Sequence, residues 1–321
     1  MEKAKSTDMV KRIMTLADRH PIRRGAKRKE AFLREAAEIF GALGFPAGIS
    51  ADRFIINNKN LAAGDIEKAQ YLFAAHYDTP FRMFVPINVI YPKSIVLSLL
   101  YQLFMLALLF AAAVALAIGI NALIPLGKYL FMLPLWIWVV SVALSCFCFP
   151  NKHNVNDNTS GVIAIMRLAH ALPASIRERA AFILFDNEEL GLFGSAAFAN
   201  ANGKKIRGKT VINMDCVGVG DDIVFLANRE AAKDEALMGA LNTPPAGNRG
   251  KRVIIGKGKG WFYPSDQANF KKSIAVAAFK RGPFGLYLND IHMDCDRYLD
   301  SNNIELIVQC LIPLMTGRTN A

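Results

Sequence analysis

Apolar positions recur at helical spacing over residues 7–19 (Met9, Ile13, Leu16) and 28–43 (Ala31, Phe32, Ala36, Ile39, Phe40), closed by His20-Pro21 and by Gly44. They predict two surface helices packed on a sheet. Residues 53–57 and 70–75 read as strands, the second running into Ala75-His76-Tyr77-Asp78. Then the pattern changes: no charge occurs from Ser94 to Ile120, nor from Tyr129 to Phe149. Each run exceeds the roughly 20 apolar residues that cross a bilayer core, so residues 93–149 are expected to form a transmembrane hairpin of two helices (about 94–120 and 129–149). Beyond it, apolar runs alternate between types. Strands are expected at 180–185, 210–215, 223–227, 253–255 and 274–279, helices at 161–172, 195–201, 230–241 and 304–315, and a loop at 243–251. The alternation predicts an α/β fold, a mixed and mostly parallel open sheet flanked by helices, interrupted by the two-helix transmembrane insertion. The remaining residues, 1–92 and 150–321, would make one discontinuous domain.

Charge refines this picture. The net charge is +11, and much of the excess lies early, at Lys11, Arg12, Arg19, Arg23, Arg24, Lys27, Arg28 and Lys29. No zinc finger, helix-turn-helix or interleaved aromatic-basic pattern accompanies it, which argues against nucleic acid and for an anionic lipid bilayer. With only Lys128 in the link, the basic flanks place both ends of the hairpin, and the domain, on the cytoplasmic side of the cell membrane. The five Cys (146, 148, 216, 295, 310) show no metal-binding spacing and read as reduced thiols, with Cys216 and Cys295 as small buried residues. No cleavable signal peptide is visible at the N-terminus. Asn158-Thr159-Ser160 matches a glycosylation sequon by chance.

Candidate chemistry gathers at the ends of the expected strands: His76 with Asp78, Asp157, the pair Glu188-Glu189, Asp215 and His292. In open α/β sheets the carboxyl ends of the strands form the ligand-binding edge, so these acids and imidazoles would converge. Adjacent residues at a strand end point opposite ways, so Glu188 and Glu189 would do different jobs.

The motifs His76-Tyr77-Asp78, Asp157-Asn158-Thr159-Ser160-Gly161, Glu188-Glu189-Leu190-Gly191-Leu192-Phe193-Gly194-Ser195, Asp215 and Ile291-His292-Met293-Asp294-Cys295-Asp296 stand in the order found in M28 zinc metallopeptidases, which the chain resembles. The resemblance implies that His76 and Asp215 bind one metal ion, Glu189 and His292 a second, and Asp157 bridges them. It implies that Glu188 is the general base and that Asp78 orients His76 through its imidazole. Asp296 would orient His292 or its loop. Two divalent ions, zinc by resemblance and manganese or cobalt by donor type, need a shared anionic ligand. The chain departs from the family at Gln267, where many members have a His, and at Ile291, where some have a Tyr.

The expected activity is therefore that of a membrane-anchored aminopeptidase acting on peptides. The alternatives are a one-zinc glutaminyl cyclase and a non-catalytic membrane scaffold. Because the hairpin lies between His76 and Asp157, the metal site is expected to face the membrane, with the apolar stretch 81–90 lying in the interface.

Overall fold

A computed structural model describes residues 2–242 and 250–316; most of the loop expected at 243–251 lies outside the described residues. The N-terminal segment forms α1 (Glu2–Met14), the one-turn α2 (Leu16–Arg19) and α3 (Ala26–Ala42). A hairpin follows, β1 (Ala47–Phe54) and β2 (Ile56–Ala63), and then β3 (Tyr71–His76). The apolar region is α4 (Ile95–Leu123) and α5 (Leu133–Phe147). The remainder runs α6 (Ser160–Ala171), β4 (Ala180–Phe185), α7 (Phe193–Asn202), β5 (Thr210–Met214), β6 (Asp222–Ala227), α8 (Glu235–Leu241), β7 (Arg252–Lys257), β8 (Ser273–Gly282), β9 (Gly285–Tyr287) and α9 (Ser301–Thr316).

One sheet organises the molecule, in the order β1-β2-β4-β3-β5-β8-β6-β7, with β9 paired to β8. Its centre, β4-β3-β5-β8, is parallel, and every residue of β3, β4 and β5 is buried. Such strands need cover on both faces. Phe32, Leu33, Ala36, Ile39 and Phe40 of α3, the apolar face of α6 and that of α9 pack against one face. Phe198 of α7 packs with Phe185 and Phe270 on the other.

Expectations for the sheet and its strands, for the apolar region and for the basic cluster change. The sheet is mixed, but not mostly parallel: β1-β2, β2-β4, β6-β8 and β8-β9 are antiparallel. Short connections enforce this for β1-β2 and β8-β9, because a parallel crossover needs a dozen or more residues. The strand expected at 53–57 straddles a turn, since Ile55 has φ 60° and ends β1 before β2 begins.

The second correction concerns the apolar region. α4 has 29 residues and a mean hydropathy of 2.8 over its most apolar window, only 11% of it buried, long enough to cross a membrane. α5 has 15 residues, about 22 Å, short of a 30 Å hydrocarbon core. The start of its run is spent on a 3₁₀ turn, Gly127–Phe131, in which Gly127 has φ 54°. Among the described residues there is thus one helix of spanning length where two were expected. α5 nevertheless packs along α4: Trp138 Nε1 donates to the Leu106 carbonyl at 3.0 Å and meets Phe110 edge to face.

The third concerns the early basic cluster. Arg12 and Arg19 pair with Glu35 and Glu38, and Arg23 is fully buried, so this region is not one free cationic face.

Candidate metal centre

His76 is the last residue of β3, and Asp215 follows β5 by one residue. The Glu188-Glu189 pair follows β4 by three. His76 lies opposite Phe185, and Ala74 opposite Asn213, so the parallel register brings these strand ends level at one edge. Asp157 reaches the same edge from the turn before α6, where a cis peptide bond joins it to Asn158.

Polar neighbours clamp that turn to the chain beyond β5. The side-chain oxygen of Asn156 accepts the Gly218 N–H at 2.8 Å, and Ser160 Oγ accepts that of Val217 at 3.0 Å. Asn158 accepts from Gly161 and Cys216 and donates to the Met214 carbonyl at 2.9 Å. A Cβ on Gly161 would stand 2.2 Å from that carbonyl oxygen, so only glycine fits. Buried and bonded in this way, Asn158 is unavailable for glycosylation.

The two oxygens of Asp157 face two different imidazoles. Oδ1 lies 3.3 Å from His76 Nε2, and Oδ2 lies 3.1 Å from His292 Nε2. Asp215 Oδ1 is 3.6 Å from His76 Nε2, and Glu189 Oε2 is 3.3 Å from His292 Nε2. Two trios result, His76-Asp157-Asp215 and Asp157-Glu189-His292, each with donor atoms within 4.8 Å of one another. Glu188 joins a third with His76 and Glu189. Both ring nitrogens of His76, Glu189 Oε1 and Asp215 Oδ1 are buried without a hydrogen-bond partner. Buried polar atoms are seldom left unmatched, and nitrogen and oxygen donors without thiolate suit zinc and similar dications. The residues present fit two ions.

Charge tells the same story. Burial pushes the Glu188 and Glu189 carboxyls well above the usual carboxylate range, and neighbouring acids add to it. Burial opposes protonation of His76, yet Glu188, Asp157, Asp215 and Asp78 outweigh it and hold the imidazole well above its ordinary value. Burial also penalises the Asp157 carboxylate, but His292 and His76 bring it below its ordinary range. The cluster is anionic and short of positive charge.

Two supporting acids hold backbone turns at the site. Asp78 Oδ1 is 3.6 Å from His76 Nδ1, beyond hydrogen-bond reach. Its oxygens instead accept the backbone N–H groups of Glu188 at 3.1 Å and Glu189 at 3.3 Å. Asp296, on the loop that carries His292, accepts from Asn156 at 2.6 Å and Asp157 at 3.0 Å, tying that loop to the turn of Asp157. Left-handed backbone at Asn187, Leu192, Cys216, Asp290 and His292 concentrates around the same ligands, as strain does at functional sites.

Sequence reasoning missed two residues. Arg23 is fully buried and donates to the Tyr77 carbonyl, Asn154 Oδ1 and Thr159 Oγ1, tying the loop after His76 to the loop of Asp157. Asp266 is fully buried with both carboxylate oxygens unpartnered, and burial pushes its carboxyl up to about 7. Its signal was the strand-loop stretch Ser265-Asp266-Gln267. Gln267 itself accepts from Asn213 Nδ2 and donates to the Tyr263 carbonyl, and Ile291 packs with Cys216 and Phe279. Cys216 is buried as expected, whereas Cys295 is exposed.

The sequence profile of peptidase family M28 matches residues 148–310, half of the chain. The protein belongs to peptidase family M28. No curated protein matches it. Among solved structures, this M28 chain is similar to a Zn-dependent exopeptidase from Parabacteroides distasonis (14% identity, 98% of each chain, TM-score 0.60). It is similar to the glutaminyl cyclase of Porphyromonas gingivalis (13%, 97% of each chain, TM-score 0.61). It is also similar to the LapA aminopeptidase of Legionella pneumophila (12%, 99% of this chain and 75% of that one, TM-score 0.56). These likenesses are of fold, and together with M28 membership they support a hydrolase with a zinc-type centre.

Proposed function

We propose that the protein is a membrane-anchored di-metal aminopeptidase. The observation that carries the reading is Asp157, whose two oxygens address His76 and His292 separately, as a carboxylate shared by two ions must. His76, Asp157 and Asp215 would hold one ion, and Asp157, Glu189 and His292 the other. Bound there, the ions supply Lewis-acid activation of the scissile carbonyl and the attacking water. Glu188 would take a proton from that water and return it to the leaving amine nitrogen, a task suited to its place beside His76 and Glu189. Asp78 fixes the turn that presents Glu188 and Glu189, and Asp296 fixes the turn that presents Asp157.

The anchor is α4, whose exposed Leu99, Leu100, Leu103, Phe104 and Leu108 suit lipid rather than water, with α5 packed beside it. The domain lies on the cytoplasmic side by the distribution of Lys and Arg.

A glutaminyl cyclase is the second reading, favoured by the likeness in fold to solved glutaminyl cyclases. Parallel assays on aminoacyl reporters and on N-terminal glutaminyl peptides separate the two. Release of the N-terminal residue, lost in Glu188→Gln, supports the peptidase; cyclisation without release overturns it.

A further inference from the structure

The base of the apolar helices is sewn to the metal cluster. Met83, seven residues beyond His76, donates its backbone N–H to the carbonyl of His292 at 2.7 Å. Beside it Arg82 donates to the Phe149 carbonyl, Asn151 donates to that of Pro80, and Phe81 bridges Pro150. The strand that ends in His76, the chain leaving α5 and the loop carrying His292 are therefore one local unit. The start of α4 is fixed to the same side: Ile90 bridges Leu288, and the Phe262 N–H bonds the Pro92 carbonyl.

Cations lie on aromatic rings around this base. The Arg82 guanidinium sits 4.7 Å from the Phe84 ring centroid and 5.9 Å from that of Phe149, and the Lys93 ammonium 3.4 Å from that of Trp261. Phe84, Phe147 and Phe149 are exposed, and so is Leu190, the residue after the Glu188-Glu189 pair. Aromatic rings and Lys or Arg side by side, at the foot of an uncharged 29-residue helix, match the headgroup layer of a bilayer with anionic lipid. The opposite edge of the sheet differs. There Arg207, Lys209, Lys271 and Lys272 line a polar cleft at the starts of β5 and β8.

Resting on the reading of a membrane-anchored metallopeptidase, we infer that the metal cluster opens at the level of the lipid headgroups. Its substrates are peptides held in that interface, which present a free N-terminus to the cluster without passing through bulk water. Confinement in the layer raises their local concentration at the site.

Quenching by brominated lipid tests the placement without requiring turnover. The full chain, with Trp136, Trp138 and Trp261 replaced by Phe, receives a single reporter, Leu190→Trp or Lys271→Trp. It is then reconstituted in phosphatidylcholine-phosphatidylglycerol vesicles brominated near the headgroup. Emission from Leu190→Trp falls by at least about half, while Lys271→Trp is unaffected. Equal quenching of the two reporters overturns the placement.

Substrate class is tested with one peptide in two forms, with and without a C-terminal acyl chain, on the unmodified enzyme in vesicles. The acylated form has kcat/KM higher by about tenfold or more; equal values overturn the interfacial substrate. Hydrolysis of neither form, with the quenching pattern intact, counts against the peptidase reading and leaves the placement standing.

Discussion

The carboxylate of Asp78 accepts the backbone N–H of Glu188 at 3.1 Å, so the group that fixes the proposed general base is anchored to the strand that carries His76. It also accepts from Glu189, so one side chain holds both the proposed metal ligand and the proposed base. Replacing Asp78 with Asn turns one oxygen into an N–H₂ group facing an N–H. Outer partners of this kind typically cost 10–100-fold, so kcat in Asp78→Asn is expected to fall by about that factor with KM little changed. Steady-state kinetics check this; an unchanged kcat would contradict the role.

Asp296 holds the turn of Asp157 as Asp78 holds that of Glu188. Asp296→Asn is therefore expected to weaken metal binding by about 10–100-fold, since Asp157 serves both trios. Chelator competition measures it directly.

Arg23 donates to four partners while fully buried, and Asp78 and Asp157 are the charges that favour its cationic form. Arg23→Met leaves those acceptors unmatched and removes the counter-charge, an expected loss of about 3–5 kcal/mol. Chemical denaturation of the metal-free protein reads this.

Gly194 packs against the strand end that carries the motif. A Cβ there would lie 1.9 Å from the Asp186 carbonyl oxygen and 2.5 Å from its nitrogen. Both are backbone atoms, so no side-chain movement relieves the contact. Gly194→Ala is expected to destabilise by about 1–3 kcal/mol or more, read as a lowered Tm.

Asp266 titrates near 7 in the fold, chiefly because it is buried, and near 4 when unfolded. Between those values the unfolded chain has released this proton and the folded chain has kept it. Stability of the metal-free protein therefore falls as pH rises from about 4 to 7, by an amount on the order of 4 kcal/mol from this group. Asp266→Asn flattens that part of the profile; unfolding curves across this range show whether it does.

His76, Glu188, Glu189 and Asp215 were legible as candidates because they sit at or just beyond strand ends, and buried parallel strands announce themselves as short apolar runs such as 180–185; Asp157, expected at a strand end, instead stands in the turn before α6. The supporting shell was not. Which partner Asp78 or Asp296 takes depends on the conformation of the loops they face, and left-handed residues such as Asn187 and His292 leave no periodic trace. Arg23 sits in a basic stretch where nothing distinguishes it from exposed neighbours. The β1-β2 turn was hidden because a β-branched Ile55 occupies a position that usually calls for Gly or Asn. Hydropathy likewise counted 129–149 as one span, because it does not register the 3₁₀ turn that shortens α5.

The central claim is a pair of ion sites sharing Asp157, and metal content per chain in the parent, His76→Ala and His292→Ala tests it most directly. The account predicts two ions in the parent and one in each variant. One ion in the parent, kept in His76→Ala and lost in His292→Ala, would contradict it and describe a single-metal site instead.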